Sequence, residues 1–182
     1  METFVPFVIN VAGLKDGTYT YEFVAEKALF THYGYTEFNS KARFLIKGQL
    51  EKKLDVGRFK FAFKGRFDVV CDRCAEPFVF EVRGKDALPI RFHTELKEED
   101  FKHDEVMNVL RTAHELDLSK YVYDSIVLSI PNRKVHLDNE DGSSGCNPKV
   151  MAILQQSEEA QTPKENPIWS ALKNLKSDDS SN

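Results

Sequence analysis

Phe59-Lys60-Phe61-Ala62-Phe63-Lys64-Gly65-Arg66-Phe67-Asp68-Val69-Val70-Cys71-Asp72-Arg73-Cys74-Ala75-Glu76-Pro77-Phe78 is the stretch that decides the fold. Phe59, Phe61, Phe63, Phe67 and Val69 fall on alternate positions, with Lys60, Lys64 and Arg66 between them. A period of two places one face in a core and the other in water, so the run is a strand. Cys71 and Cys74 stand at the join between this run and a second one, opened by Phe78, Val79 and Phe80. A C-x-x-C turn lets two thiolates reach one metal ion from a tight loop. It also suits a dithiol redox pair.

Upstream, Ala42, Phe44, Ile46, Gly48 and Leu50 alternate with Lys41, Arg43, Leu45, Lys47, Gln49 and Glu51. Asp55-Val56-Gly57 turns the chain, and the two runs predict an antiparallel hairpin. A third strand over 78–92 follows the cysteine turn. Residues 3–12 and Tyr19–Phe23 read as further strands, with Asp16-Gly17 between them. Residues 25–33 fit a short helix or irregular chain.

Downstream, 95–117 holds eight acids against three bases and reads as a solvated loop, with one more strand at Val106–Leu110. Asp117 is placed to cap a helix over 118–130, whose apolar residues Leu118, Val122, Ile126 and Ile130 share one face. Pro131 ends it. A loop over 131–148 carries His136 and Cys146. Residues 149–165 show weak pattern and read as a mobile linker. Asn166-Pro167 opens a terminal helix over 167–176, and 177–182 is a polar tail expected to be disordered. The expected fold is α+β: an antiparallel, barrel-like, Phe-rich sheet within 3–92, packed by one central helix. It forms a single domain over 1–148, with 149–182 appended.

Composition narrows the function. Hydrophobic content of 41% and charged content of 30% in 182 residues suit a globular protein with a real core. No apolar run approaches the ~20 residues of a membrane helix, and the start of the chain, with Glu2 and no base before Phe4–Val11, lacks a secretory signal. Three cysteines are too few for a disulfide framework, which predicts a cytoplasmic protein with reduced thiols and no membrane partner. The net charge of −4 argues against whole-surface nucleic-acid binding, but not against a local basic face. No G-x-S-x-G, P-loop, H-E-x-x-H or dinucleotide turn occurs, so no enzyme is expected.

Two constellations remain. Cys71, Cys74, His136 and Cys146 make a Cys3His set, which zinc holds in a closed tetrahedron with no position left for water. The nine-residue gap between His136 and Cys146 exceeds usual finger spacing, so a pair of half-buried thiols beside a surface histidine stays open. A redox pair stays open too, although the cysteines lack the strand-to-helix setting of thioredoxin-like sites. Separately, 41–68 holds nine bases against three acids. Alternation puts Lys41, Arg43, Lys47, Arg58, Lys60, Lys64 and Arg66 forward as an RNA-contacting face. Their plain alternative is a solvated face that protects a sheet edge, within a module that binds only protein.

Three segments in order carry a resemblance. They are Cys71-Asp72-Arg73-Cys74-Ala75-Glu76-Pro77-Phe78; then Leu116-Asp117-Leu118 with Tyr123–Pro131 and His136…Cys146; then Asn166-Pro167-Ile168-Trp169-Ser170-Ala171-Leu172-Lys173-Asn174-Leu175-Lys176. Together they resemble the bacterial large ribosomal RNA subunit accumulation proteins, the YceD-like group. The likeness spans about Val69 to Lys176 and departs at Arg133-Lys134 and at the glycine–serine insert before Cys146. It implies a non-enzymatic role in large-subunit biogenesis, with 23S ribosomal RNA or a precursor particle as partner. It also implies that the four candidate zinc ligands act together. The acidic segment and Ile168, Trp169, Leu172 and Leu175 would then engage basic ribosomal proteins.

Overall fold

A computed structural model of the chain describes residues 4–38, 42–101 and 105–160. They fall into two compact units: Met1–Asp72 with Pro77–Lys134, and Arg73–Glu76 with Val135–Asn182.

The first unit is mostly sheet. In chain order it has β1 (Val8–Asn10), β2 (Gly17–Glu26), α1 (Lys27–His32), β3 (Arg43–Lys53), β4 (Val56–Val70), β5 (Pro77–His93), a 3-10 turn (Glu98–Phe101), β6 (Met107–Leu110), β7 (Glu115–Asp117) and α2 (Ser119–Leu128). The main sheet has the order β2-β3-β4-β5-β6, and β1 pairs with β7 in a small second sheet. β3 through β5 confirm the alternating strands, but two expectations fail. β6 runs parallel to β5, so the sheet is mixed. It also stays open, with β2 and β6 at its edges and unpaired with each other. The acidic segment supplies the expected strand as β6 and, in place of the expected loop, also the 3-10 turn and β7. The β3–β4 reversal falls at Leu54-Asp55 rather than at 55–57, with Leu54 at φ 53°.

Alternation becomes a core on the inner face of the sheet. Phe44, Ile46, Leu50, Phe59 and Phe67 are each at most 1% exposed, and burying each such side chain stabilises by about 1.5–3 kcal/mol. So many rings need room, and glycines supply it. A Cβ on Gly65 would lie 2.1 Å from the Phe44 ring, and one on Gly48 2.2 Å from Phe59. Gly65 thus occupies the one inward position between Phe59 and Phe67 where the phenylalanine alternation lapses.

Leu29 and Phe30 of α1 and Val122 and Ile126 of α2 belong to the same buried cluster. Asp117 does serve the start of α2, its Oδ1 accepting from the Ser119 N–H at 2.8 Å. The buried Ser119 hydroxyl in turn accepts from the Phe7 N–H at 2.7 Å. At the middle of α2 the Ser125 hydroxyl donates to Asp86 of β5 at 2.7 Å. Burial pushes the Asp86 carboxyl up, but hydrogen bonds from Ser125, the Ala87 N–H and Tyr121 outweigh it and hold it below its ordinary value. Burial, with Asp86 beside it, pushes the Tyr121 phenol up to about 12.

In the second unit, the segment read as a linker forms α3 (Pro148–Ala160). Asn147 caps it, with Oδ1 accepting from the Lys149 N–H at 2.9 Å and its carbonyl from the Met151 N–H at 3.0 Å. Pro148 sits at the first helical position, where its missing N–H costs nothing. Among the described residues no helix is long and apolar enough to cross a membrane.

Candidate metal centre and basic sheet face

The turn between β4 and β5 is tightened by Ala75, which takes a left-handed φ of 58° directly after Cys74. Asp72 fixes what approaches it. Its N–H donates to the Lys134 carbonyl at 2.8 Å, and its carboxylate accepts the Lys134 N–H in return. His136 follows two residues later and reaches the turn, with Nδ1 3.5 Å from Cys74 Sγ.

The glycine–serine insert proves to be an ordered turn. Asn139 N–H donates to the Ser143 carbonyl at 2.7 Å, and Gly142 N–H to the Asn139 carbonyl at 2.9 Å. Asp141 accepts from both the hydroxyl and the N–H of Ser143, which holds its carboxyl below the ordinary value. The Ser144 hydroxyl takes hydrogen bonds from Arg73 Nη1 at 3.1 Å and from the Cys146 N–H at 3.3 Å. Asn147, next in the chain, donates to Glu76. Gly145 is needed there, since a Cβ would lie 2.2 Å from the Leu137 carbonyl oxygen. The long spacing between His136 and Cys146 is therefore a folded connection that returns Cys146 to the turn.

The ligand atoms of Cys71, Cys74, His136 and Cys146 all lie within 4.8 Å of one another. The thiols are 2%, 5% and 4% exposed, in chain order, and none is in a disulfide. In a tetrahedron with zinc about 2.3 Å from sulfur and about 2.0–2.1 Å from nitrogen, S and N stand roughly 3.5 Å apart. The Cys74–His136 separation meets that value. Three buried sulfurs and one imidazole are also the donor set zinc favours, so the residues fit the metal.

The basic residues divide. Lys47, Arg58, Lys60, Lys64, Arg66 and Arg43 all project from the outer, exposed side of β3 and β4. Lys47 pairs with Glu22 at 3.1 Å and Lys60 with Glu51 at 2.7 Å. Lys64 and Arg66 make no ion pair among the described residues. Lys41, and Ile168, Trp169, Leu172 and Leu175 with the expected helix 167–176, lie outside the described residues. Sequence reasoning missed Arg83 and Lys85, which project from the same side of β5. Extending the alternation across the cysteine turn would have found them, since Lys64 lies opposite Arg83 in the β4–β5 register.

Residues 59–176 match the sequence model of the family described as large ribosomal RNA subunit accumulation protein YceD. No curated protein matches the chain, and no solved structure does.

Proposed function

Because the chain belongs to the large ribosomal RNA subunit accumulation protein YceD family, we propose that it is a cytoplasmic, non-enzymatic factor in large-subunit biogenesis that supports accumulation or processing of 23S ribosomal RNA. The observation that carries this is the family match itself, which runs from β4 through the cysteine turn, α2 and α3. The basic outer face of the sheet contacts RNA or a precursor particle. The acidic segment and Ile168, Trp169, Leu172 and Leu175 engage basic ribosomal proteins.

Cys71, Cys74, His136 and Cys146 would hold zinc, and the four-ligand count makes the site structural. When bound, the metal contributes folding energy rather than a reactive water. The protein's own part is to bring the ligands together. Asp72 and Lys134 clasp the chain beside the turn, Arg73 and Ser144 orient the returning loop, and Asn147 starts α3 directly after the last ligand. Burial then keeps solvent thiols and oxidants from the sulfurs.

Depletion tests the function. The expected result is a fall in 23S RNA relative to small-subunit RNA, with the protein sedimenting alongside large-subunit precursors. Unchanged 23S RNA after full depletion refutes the assignment.

A further inference from the structure

The outer face of the sheet has an uneven charge pattern that follows from register. Lys47 and Lys60 are answered by the acids Glu22 and Glu51. Arg43 faces Arg66 across β3–β4, but Glu26 and Glu81 occupy the two outer positions of that row. The next row is Val24, Leu45, Lys64, Arg83 and has no acid. Lys85 lies diagonal to Lys64 and on the same face as Arg83. Directly opposed side chains have Cβ atoms about 4.5–5.5 Å apart, so the like charges of Lys64 and Arg83 destabilise the sheet; diagonal ones stand about 7–8 Å apart, which puts Lys85 on one side of Lys64 and Glu81 on the other. Lys64, Arg83 and Lys85 make no ion pair among the described residues. Two directly opposed cations with a third beside them are a seat that an anion stabilises.

A trough lies beside them. It is an open depression of about 960 Å³ that crosses β2 to β5, with the backbone of Tyr21, Gly48, Phe61 and Asp86 as its floor. At about 4.8 Å per strand it runs roughly 14 Å. Ala62 and Ala87 leave it open, and Lys47, Lys60 and Lys85 stand on its walls. Around these cations and the trough no aromatic side chain projects on this side, since Tyr19, Tyr21, Phe23 and the phenylalanines of β3–β5 have the opposite parity. The surface thus offers charge and shape but no ring on which an unpaired base can stack.

We propose that this face seats the phosphate backbone of double-helical RNA, centred on Lys64, Arg83 and Lys85 rather than on the β3–β4 hairpin alone. The proposal rests on the ribosomal reading above and adds to it the form of the RNA, the strands that bind it and two residues outside the original set. Phosphate contacts fix position without reading sequence, so affinity depends steeply on salt and little on base identity.

The test is fluorescence anisotropy of the purified full chain with a labelled RNA duplex of two helical turns and with oligouridine of equal length. The Arg83→Glu/Lys85→Glu variant should bind the duplex at least about tenfold more weakly and lower the slope of log affinity against log salt by about 2. Lys15→Glu/Lys97→Glu, the same charge change on residues outside the strands, should bind like the wild type. Arg83→Gln/Lys85→Gln, which removes charge without adding acids, should fall between them with an unchanged melting curve. Equal losses in the two charge-reversal variants would overturn the proposal, as would oligouridine binding as tight as duplex binding. A wild-type chain that joins large-subunit precursors yet ignores the duplex would also overturn it and point to an acidic protein surface instead. That last result leaves the biogenesis role intact, because only the depletion experiment bears on it.

Discussion

Cys71 and Cys74 stand at the tip of the β4–β5 hairpin, and Lys64 and Arg83 face each other along its length. The two regions share strands but depend on them differently. At the tip, Cys71, Cys74, His136 and Cys146 each offer one ligand atom, and these lie within 4.8 Å of one another. Along the hairpin, Arg58, Lys60, Lys64, Arg66, Arg83 and Lys85 project from one side, and each adds to a common field. A closed coordination site fails when one ligand is lost, whereas a charged surface declines in steps.

The sharpest way to break the comparison is at the tip. Cys146→Ser should take bound zinc, measured by native mass spectrometry, from one per chain to nearly none. Stability should fall on the order of 3 kcal/mol, about 6–12 °C in Tm for a chain of this size. Chelation of the wild type should produce the same loss, and acid should too, because protons compete with the metal for thiolates. A wild-type protein that carries no zinc and has rapidly titrating thiols would instead make Cys71 and Cys74 a redox pair.

The two regions were also unequally legible. The cluster was readable from residue type, because only three cysteines exist and a histidine stands near the third. What the sequence hid was the route. Asn139, Asp141 and Ser143 read as turn formers, but only their mutual hydrogen bonds show that the turn brings Cys146 back to the cysteine pair. The same blind spot concealed α3. Asn147-Pro148 has the same cap and first-turn chemistry as Asn166-Pro167, but the residues after it carry only a weak apolar period, with Gln155, Gln156, Ser157 and Glu158 in a row. The sheet was readable in β3 and β4, where period two is strict. The parallel pairing of β6 was not, since a four-residue strand carries no record of its direction. The set of cations was incomplete because pairing register, not sequence distance, decides which charges meet.

A core change in β4 separates the regions from below. Gly65→Ala places a Cβ 2.1 Å from the Phe44 ring and 2.7 Å from the Arg43 carbonyl oxygen. The ring can shift but the backbone cannot, so a loss of about 1–3 kcal/mol is expected in denaturant titrations. Zinc content should be unchanged. Loss of metal in this variant would mean that the tip depends on sheet packing along the strand.

A smaller effect should depend on pH. The Asp86 carboxyl is held below its ordinary value, so its contribution is present above the unfolded pKa and is lost as pH falls through the lower folded one. Ser125→Ala removes one donor to it. Because Asp86 is largely exposed, the loss at neutral pH should be no more than about 1 kcal/mol. The gap between variant and wild type should narrow below about pH 4, as the carboxyl protonates. A gap that stays constant down to strong acid would show that Ser125 acts only through its bond to the Tyr121 carbonyl, 3.0 Å away.

The smallest change tests whether the tip is shaped by its ligands or before them. Ala75 holds a left-handed φ of 58°, a region that costs a residue with a Cβ on the order of 1 kcal/mol and costs glycine nothing. Glycine also loosens the unfolded chain, which offsets part of the gain, so Ala75→Gly should stabilise by about 0.5 kcal/mol. Where that gain appears is the informative part. If the turn forms without metal, the chelated variant melts higher than the chelated wild type, and zinc affinity is the same in both. If the metal imposes the turn, the chelated proteins melt together and the variant binds zinc roughly twofold more tightly. The reciprocal clasp between Asp72 and Lys134 lies outside the ligand set and holds one side of the turn by itself, which favours the first result.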